Sequence, residues 1–590
     1  MTANPHKTRL TQLRSWLQAQ ALDGFIVPHS DDYQNEFLPA CSERLAFLTG
    51  FTGSAGCALI FAKRAVLFTD SRYTLQAQQQ TQATLIVNER EAWLQANLSS
   101  KSVLGYDPWL HSVNELESWQ KIAAQRGTQL KAITPNPIDK LWTERPPPPQ
   151  THVWDYPDSL SGASTQDKLE GVIATLKQHS CTALVLTSPL SVCWLFNLRA
   201  DDIPHTPVCL ARAVIYANGS YSLFINEARY PDSPYNLTPE DAWEESVARL
   251  ATDKKARLWL DARSCPSAVY ETLRHKQANI YLAPDPCLHT KACKTNVEIS
   301  GARNAHVRDG YALIRFLAWL DQQPPDSVDE LEAGAMLTSL RQRDKLFLQN
   351  SFPPISAAAQ HGAIVHYQAT ATSTIPLQAG SLYLIDSGGH YRDGTTDVTR
   401  TVFIGSSTQK PTATMKRHYT LVLKGHLALM QARFPAGTSG AQLDALARQH
   451  LLREGLNYGH GTGHGVGSVL SVHEHPPSLA PKSTTPLHEG MILSNEPGYY
   501  KEGHYGIRIE NLMVVRPQQK TTDGLSLHCF ESLTLVPYDS TLIDPALLSE
   551  DERAYLKQYY QRIDEQISPL LTSTERSWLE GQLSLVASFC

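Results

Sequence analysis

The chain has 590 residues, of which 42% are hydrophobic and 19% charged, and a net charge of −6. This is an ordinary globular balance, and at roughly 150 residues per domain the length predicts about three or four domains. No basic stripe invites nucleic acid, and no apolar run reaches the roughly 18 residues of a membrane-spanning helix, so neither partner is expected.

The N-terminus runs into a polar helical pattern over residues 8–21 without the apolar core of a signal peptide, which points to the cytoplasm. The ten cysteines (Cys41, Cys57, Cys181, Cys193, Cys209, Cys265, Cys287, Cys293, Cys529, Cys590) form no CxxC pair. They read as reduced, mostly buried thiols. A short apolar strand is expected at 24–27, followed by aromatic-rich strands and turns around 47–68. Prolines 146–149 make a stiff connector over 145–150, because they fit neither a helix interior nor a central strand. The outline then repeats: a helix at 166–179, a strand at 183–186 and aromatic-rich strands around 194–224. Two explanations fit, a divergent duplication of one α/β unit or two unrelated α/β domains.

A softer seam lies at 282–294. Beyond it, Thr295 and Glu298 form a capping box that starts a long helix with Leu313, Phe316, Leu317 and Leu320 on one stripe. Pro324 and Pro325 end it, and Ser327 with Glu330 is expected to cap the next helix in the same way. The division is therefore 1–150, 151–293 and 294–590, with a C-terminal extension from about 530, and the fold class is α/β (α+β).

Most of the chemistry lies in the third block. Strand-like runs at 382–385 and 398–404 flank a turn at Arg392, Asp393 and Gly394, and a hairpin there brings Asp386 and Asp397 together. Two such carboxylates repel unless a cation lies between them, although alone they also read as solvated strand ends. Residues 458–467 read YGHGTGHGVG, too glycine-rich for a helix, and place His460 and His464 where backbone can approach a ligand. His473 follows in VHE. Pro497 and Gly498 turn the chain just after Glu496, so its carboxylate projects from a strand end. In GIRIEN, alternation puts Arg508 and Glu510 opposite Ile507 and Ile509, a costly face unless both charges are paired. Asp386, Asp397, His464, Glu496 and Glu510 together are four carboxylates and one imidazole. They match two divalent ions in charge, and the oxygen-rich set suits Mn2+ better than a thiolate-type zinc site.

The ordered set and its wording (IDSGGHYRDGTTDVTRT, GHGTGHGVGS, VHE, EPGYY, YGIRIEN) resemble the pita-bread metallopeptidases. With AFLTGFTGSAG, FTDSRYTLQA and WLFNLR in the first two blocks, the chain resembles the three-domain cytosolic Xaa-Pro aminopeptidases over nearly its whole length. The resemblance implies two creatinase-like N-terminal domains and a catalytic pita-bread domain. It implies a dinuclear centre in which Asp386 chelates one ion, Asp397 and Glu510 bridge, and His464 and Glu496 complete the other. It implies catalytic or substrate roles for His366, His460, His473, Glu496 and Arg508, and substrate contacts from Tyr500, Glu36 and Arg72. The implied reaction removes the first residue from peptides whose second residue is proline, using a hydroxide held between the ions, and relatives of this type are often homodimers. X-Pro dipeptidases share the metal set but not the resemblance across the first two blocks; creatinase-like enzymes lack the ligands; a non-catalytic peptide-binding module on the same fold remains an alternative. One departure stands out: residues 356–361 read SAAAQH, where relatives are richer in glycine and asparagine, just before His366.

Overall fold

The computed structural model describes residues 4–81, 83, 85–405, 409–517 and 523–588. It contains two compact units, Met1–Tyr156 with Ala163–Leu288, and Pro157–Gly162 with His289–Cys590.

The first unit holds two six-stranded sheets. Numbered along the chain within each sheet, both have the spatial order 4-3-2-1-5-6, an antiparallel meander of strands 1–3 flanked by parallel strands. Shared order and shared strand sense favour duplication over two unrelated domains. The opening helices are Pro5–Ala19, with Asn4 as cap and Pro5 in its first turn, and Thr165–Gln178, capped by a Ser164/Asp167 box. The first strands are Gly24–Pro28 and Ala183–Leu186.

Two aromatic-rich segments differ from the sequence expectation. Phe47 lies on the helix Arg44–Thr49, which Gly50 closes in the left-handed conformation, and Trp194 lies on the helix Pro189–Leu195, which Pro189 opens. Their burial is helical: Phe47 stacks on Trp142 with ring centroids 4.5 Å apart, and Trp194 is buried. The sheet strands of these segments begin at Gly56 and, after the two-residue strand Leu198–Arg199, at Arg212. Residues 145–150 belong to no helix or strand, whereas the softer seam carries a short helix, Cys287–Ala292. The nine described cysteines are free, and seven of them are buried; Cys590 lies outside the described residues.

In the second unit, two helix pairs back two sheets. Asn296–Asp321 packs with Glu330–Arg341 behind the three-stranded sheet Ile355–Ala358, Leu382–Ser387, Val398–Phe403. The predicted stripe of Leu313, Phe316, Leu317 and Leu320 meets Tyr383, Ile385 and Val398 in one core. Alternation along that strand leaves Asp386 on the opposite face. Ala413–Met430 and Gly440–Leu452 support a six-stranded sheet that includes Gly463–Gly465, Ile492–Asn495 and Asn511–Pro517. The C-terminal helices Glu550–Ile567 and Ser573–Ala587 add Tyr559, Ile563 and Leu579 to a further core.

The Thr295/Glu298 capping box is present. The expected Ser327/Glu330 box is not. Asp329 caps the helix reciprocally with Glu332, while the Ser327 hydroxyl donates to Pro324 O at 2.6 Å. Both S-x-x-E and D-x-x-E patterns fit the sequence, and tertiary contacts decide between them, because the Glu330 carboxylate is engaged by other donors. Asp329→Ala should therefore cost about 1 kcal/mol in thermal or urea unfolding, and Ser327→Ala clearly less. Equal losses would contradict the cap assignment.

Candidate metal centre

The hairpin of Leu382–Ser387 with Val398–Phe403 pairs Asp386 with Thr399 and Ser387 with Val398, so Asp397 sits immediately before the second strand. Both carboxylates thus reach the same end of the ladder. Asp393 stays in the turn and pairs with Arg308. His464 lies on the short strand Gly463–Gly465. A Cβ on Gly463 would meet Ser494 O at 2.0 Å, so only glycine lets this strand lie against its neighbour. Glu496 follows the strand Ile492–Asn495, and Glu510 precedes Asn511–Pro517. The hairpin Gly498–Lys501/Tyr505–Arg508 joins these two glutamates and carries Tyr500 and Arg508.

These side chains converge. His464 Nε2 is 3.5 Å from both Asp397 Oδ2 and Glu496 Oε1. Asp397, His464 and Glu510 offer donor atoms all within 4.8 Å of one another. Arg508 donates to Asp386 Oδ2 at 2.6 and 3.2 Å, to Tyr500 Oη at 2.7 Å and to Val365 O at 3.3 Å. His464 Nδ1 bonds Gly465 O at 2.9 Å, which turns Nε2 towards the carboxylates. His460 Nδ1 bonds Gly461 O at 2.7 Å; its Nε2 therefore accepts from the Tyr500 hydroxyl at 2.8 Å, which in turn accepts from Arg508. His473 meets His464 edge-on, with ring centroids 4.3 Å apart. His366 is half-buried one residue beyond Val365. Glu36 and Arg72 lie in the first unit, where Ser54 donates to Glu36 at 3.5 Å and also bonds Tyr73, and Arg72 pairs with Asp70 at 2.7 Å and lies over the Tyr73 ring.

Three supporting residues escape sequence reasoning. The Thr399 hydroxyl donates to Glu510 Oε2 at 2.8 Å, and Ser494 donates to Glu496 at 3.1 Å while accepting the His464 N–H. Buried Arg400 holds the carbonyls of Thr399, Glu510, Val536 and Pro537 together with Asn511, tying the C-terminal segment to the site strand. The alternation in DVTRT was the available signal for Thr399; nothing local marks the others.

Electrostatically the cluster is unbalanced. Burial raises the Asp386 carboxyl above the usual range against the pull of Arg508, with Asp397 adding to the rise. Burial also raises Glu496, opposed by His464 and Arg508. Glu510 is held well above the usual range by burial and by the charges of Asp397, Glu496 and Asp386. Burial alone would lower His464, but its bond to Asp397 and the charges of Glu496 and Asp397 outweigh that and push it up to about 9. One oxygen each of Asp386, Asp397 and Glu510 is buried without a hydrogen-bond partner. Orphaned buried carboxylate oxygens cost free energy unless a cation accepts them. The donor set therefore fits divalent metal, with oxygens for a hard or borderline ion and one imidazole.

A metal-dependent hydrolase is the class that this fold and donor set define. The family models agree: metallopeptidase family M24 matches residues 300–517, its C-terminal region 526–584, and the creatinase/prolidase N-terminal domain matches twice, at 9–141 and 144–298. Aminopeptidase P1 of Arabidopsis thaliana is 35% identical over 97% of this chain and 98% of its own length, and Xaa-Pro aminopeptidase 2 of Homo sapiens is 36% identical over 98% and 89%. The crystal structure of X-prolyl aminopeptidase from Caenorhabditis elegans, described as a cytosolic enzyme with a di-nuclear active site, superposes with a TM-score of 0.92 at 31% identity, covering 98% of this chain and 99% of that one. A prolidase from Pyrococcus horikoshii shares the fold over 63% of this chain at 22% identity, TM-score 0.50. The chain belongs to the Xaa-Pro aminopeptidase group of metallopeptidase family M24.

The raised groups give a sign to the pH dependence. In the metal-free fold, Asp386, Glu496, Glu510 and His464 all hold protons more tightly than in the unfolded chain. The stability they contribute is complete below their ordinary values and is lost as pH rises through the raised ones, the imidazole's between 6.5 and about 9. Manganese should therefore raise the melting temperature of EDTA-stripped protein more at pH 8 than at pH 5.5, and its binding should release protons, read by calorimetry in two buffers of different ionisation enthalpy. Equal stabilisation at both pH values, without proton release, would contradict this electrostatic account.

Proposed function

We propose that the chain is an aminopeptidase that hydrolyses the bond between an N-terminal residue and proline. The observation that carries this reading is the cluster of Asp397, His464 and Glu510, with Glu496 beside His464 and Asp386 electrostatically tied to Asp397, and three orphaned carboxylate oxygens, in a chain related to Xaa-Pro aminopeptidases along nearly its entire length. Asp386 would hold one ion, Asp397 and Glu510 would be shared, and His464 with Glu496 would complete the second. Manganese suits this set, and the bound ions supply Lewis acidity and a nucleophilic water near neutral pH.

The chain's own residues do the rest. Arg508 fixes Asp386 and, through Tyr500, ties the His460 ring into the same network. Glu496, raised by burial, is the carboxyl suited to take a proton from the attacking water and return it to the leaving nitrogen. A prolyl nitrogen carries no N–H in the peptide, so a pocket that accommodates the ring without requiring that hydrogen bond gains selectivity; His366, His473 and Tyr500 are its proposed lining. Glu36 and Arg72 are proposed as substrate contacts. The domain division at about 150 and 293, a homodimer and a cytoplasmic location complete the reading. In support of the last, the Caenorhabditis elegans neighbour is described as cytosolic, and no helix among the described residues is long and apolar enough to cross a membrane.

Arg-Pro-Pro should release arginine only with manganese restored to stripped enzyme, while Arg-Ala-Ala stays intact. Cleavage of both peptides would remove the proline specificity, and cleavage of Arg-Pro but not Arg-Pro-Pro would favour a dipeptidase. Glu496→Gln should lower kcat by about 10²–10⁴-fold; a variant as fast as the parent would exclude the assigned proton transfer.

A further inference from the structure

Glu330, the residue expected to cap a helix, instead sits at the first position of Glu330–Arg341 with a fully buried side chain. Its carboxylate is ringed by donors from a single stretch of chain. Oε1 accepts the Ala358 N–H at 2.7 Å and His361 Nδ1 at 2.8 Å; Oε2 accepts the Tyr367 hydroxyl at 2.9 Å and the Ile375 N–H at 3.1 Å. Its backbone continues the pattern: Glu330 O accepts from Ser356 Oγ at 2.6 Å, and Glu330 N–H donates to Ile375 O at 3.2 Å. The His361 ring also stacks on Tyr367, with centroids 4.3 Å apart. A helix N-terminus favours a carboxylate at this position, but the donors here come from residues 356–375.

That stretch carries His366. Its first residues finish the strand Ile355–Ala358 and a 3-10 turn follows at Ala359–Ala363; the rest is irregular, so its shape comes from side-chain anchors. On one side Glu330 grips residues 358, 361, 367 and 375. On the other, Arg508 bonds Val365 O, and Gly362 presses against Gly506, where a Cβ would meet Gly362 O at 1.7 Å. The atypical SAAAQH segment supplies three of the five partner residues: Ser356, Ala358 and His361. We propose that Glu330 is a positioning residue for peptide hydrolysis, a clamp that sets the loop presenting His366 to the substrate. This rests on the substrate role proposed above for His366.

The geometry makes the amide substitution informative. Each carboxylate oxygen accepts from a backbone N–H that cannot turn away, so either orientation of a glutamine places its NH2 against one of them. Steady-state kinetics on Arg-Pro-Pro would be compared for the parent, Glu330→Gln, His366→Ala and the double variant, with bound metal measured in each. Glu330→Gln should lower kcat/KM by about tenfold to a hundredfold, mainly through KM, with metal content unchanged. In the His366→Ala background the same change should cost less than about threefold, because the loop's cargo is already gone. A full, additive loss in that background, or parental kinetics for Glu330→Gln, would overturn the proposal. If His366→Ala alone is as active as the parent, the His366 reading itself fails, an outcome distinct from an impaired His366→Ala beside an unimpaired Glu330→Gln. Should Glu330→Gln fail to fold, Tyr367→Phe removes one donor while sparing the carboxylate. It should raise KM in the parent but not in the His366→Ala background, and unchanged kinetics would overturn the clamp.

Discussion

Four carboxylates share one pocket with the Arg508 guanidinium, and His464 is the imidazole set directly against them; the catalytic unit is built around that imbalance. Arg508 neutralises Asp386, and a protonated His464 answers Asp397 and Glu496, yet Glu510 is left among its own kind with only the Thr399 hydroxyl on one oxygen. A fold assembled for stability alone would not collect these charges. Divalent cations would resolve the conflict by lying between carboxylates that repel one another in the metal-free site.

The scaffold holds the charges apart from water and at fixed positions because every donor sits at or beside the end of a strand, where the hydrogen-bond ladder stops and side chains can turn inward. Asp386 and Asp397 come from one sheet, His464 and Glu496 from the other, and the short hairpin carrying Tyr500 and Arg508 connects Glu496 to Glu510. Glycine is required where two backbones touch, at Gly463 against Ser494 and at Gly506 against Gly362. Arg400 joins the site strand to the segment at 536–537, beside the C-terminal helices, so the extension beyond residue 530 belongs to the same cooperative structure.

Much of this was legible in the sequence, and the reason is locality. Asp386 and Asp397 are eleven residues apart on one hairpin, His464 sits in a run of glycines, and Glu496 precedes a Pro-Gly turn, so short-range rules suffice. The opening helices, the first strands of both N-terminal domains and the stripe on Asn296–Asp321 followed from caps and periodicity in the same way. Glu330 was misread because its partners lie 28 to 45 residues away and a capping pattern offered a nearer explanation. Phe47 and Trp194 were misread as strand residues because aromatic content outweighed the Gly50 and Pro189 signals that mark short helices. Thr399, Ser494 and Arg400 act through contacts across the sheet that only the folded register creates.

The most direct test is to count the ions. Stripped protein dialysed against manganese and assayed by elemental analysis should hold two ions per chain, and Asp386→Asn should hold one with the fold retained by circular dichroism. A native chain that binds none, or whose stoichiometry is indifferent to Asp386, would contradict the claim that this carboxylate cluster is a dinuclear metal centre.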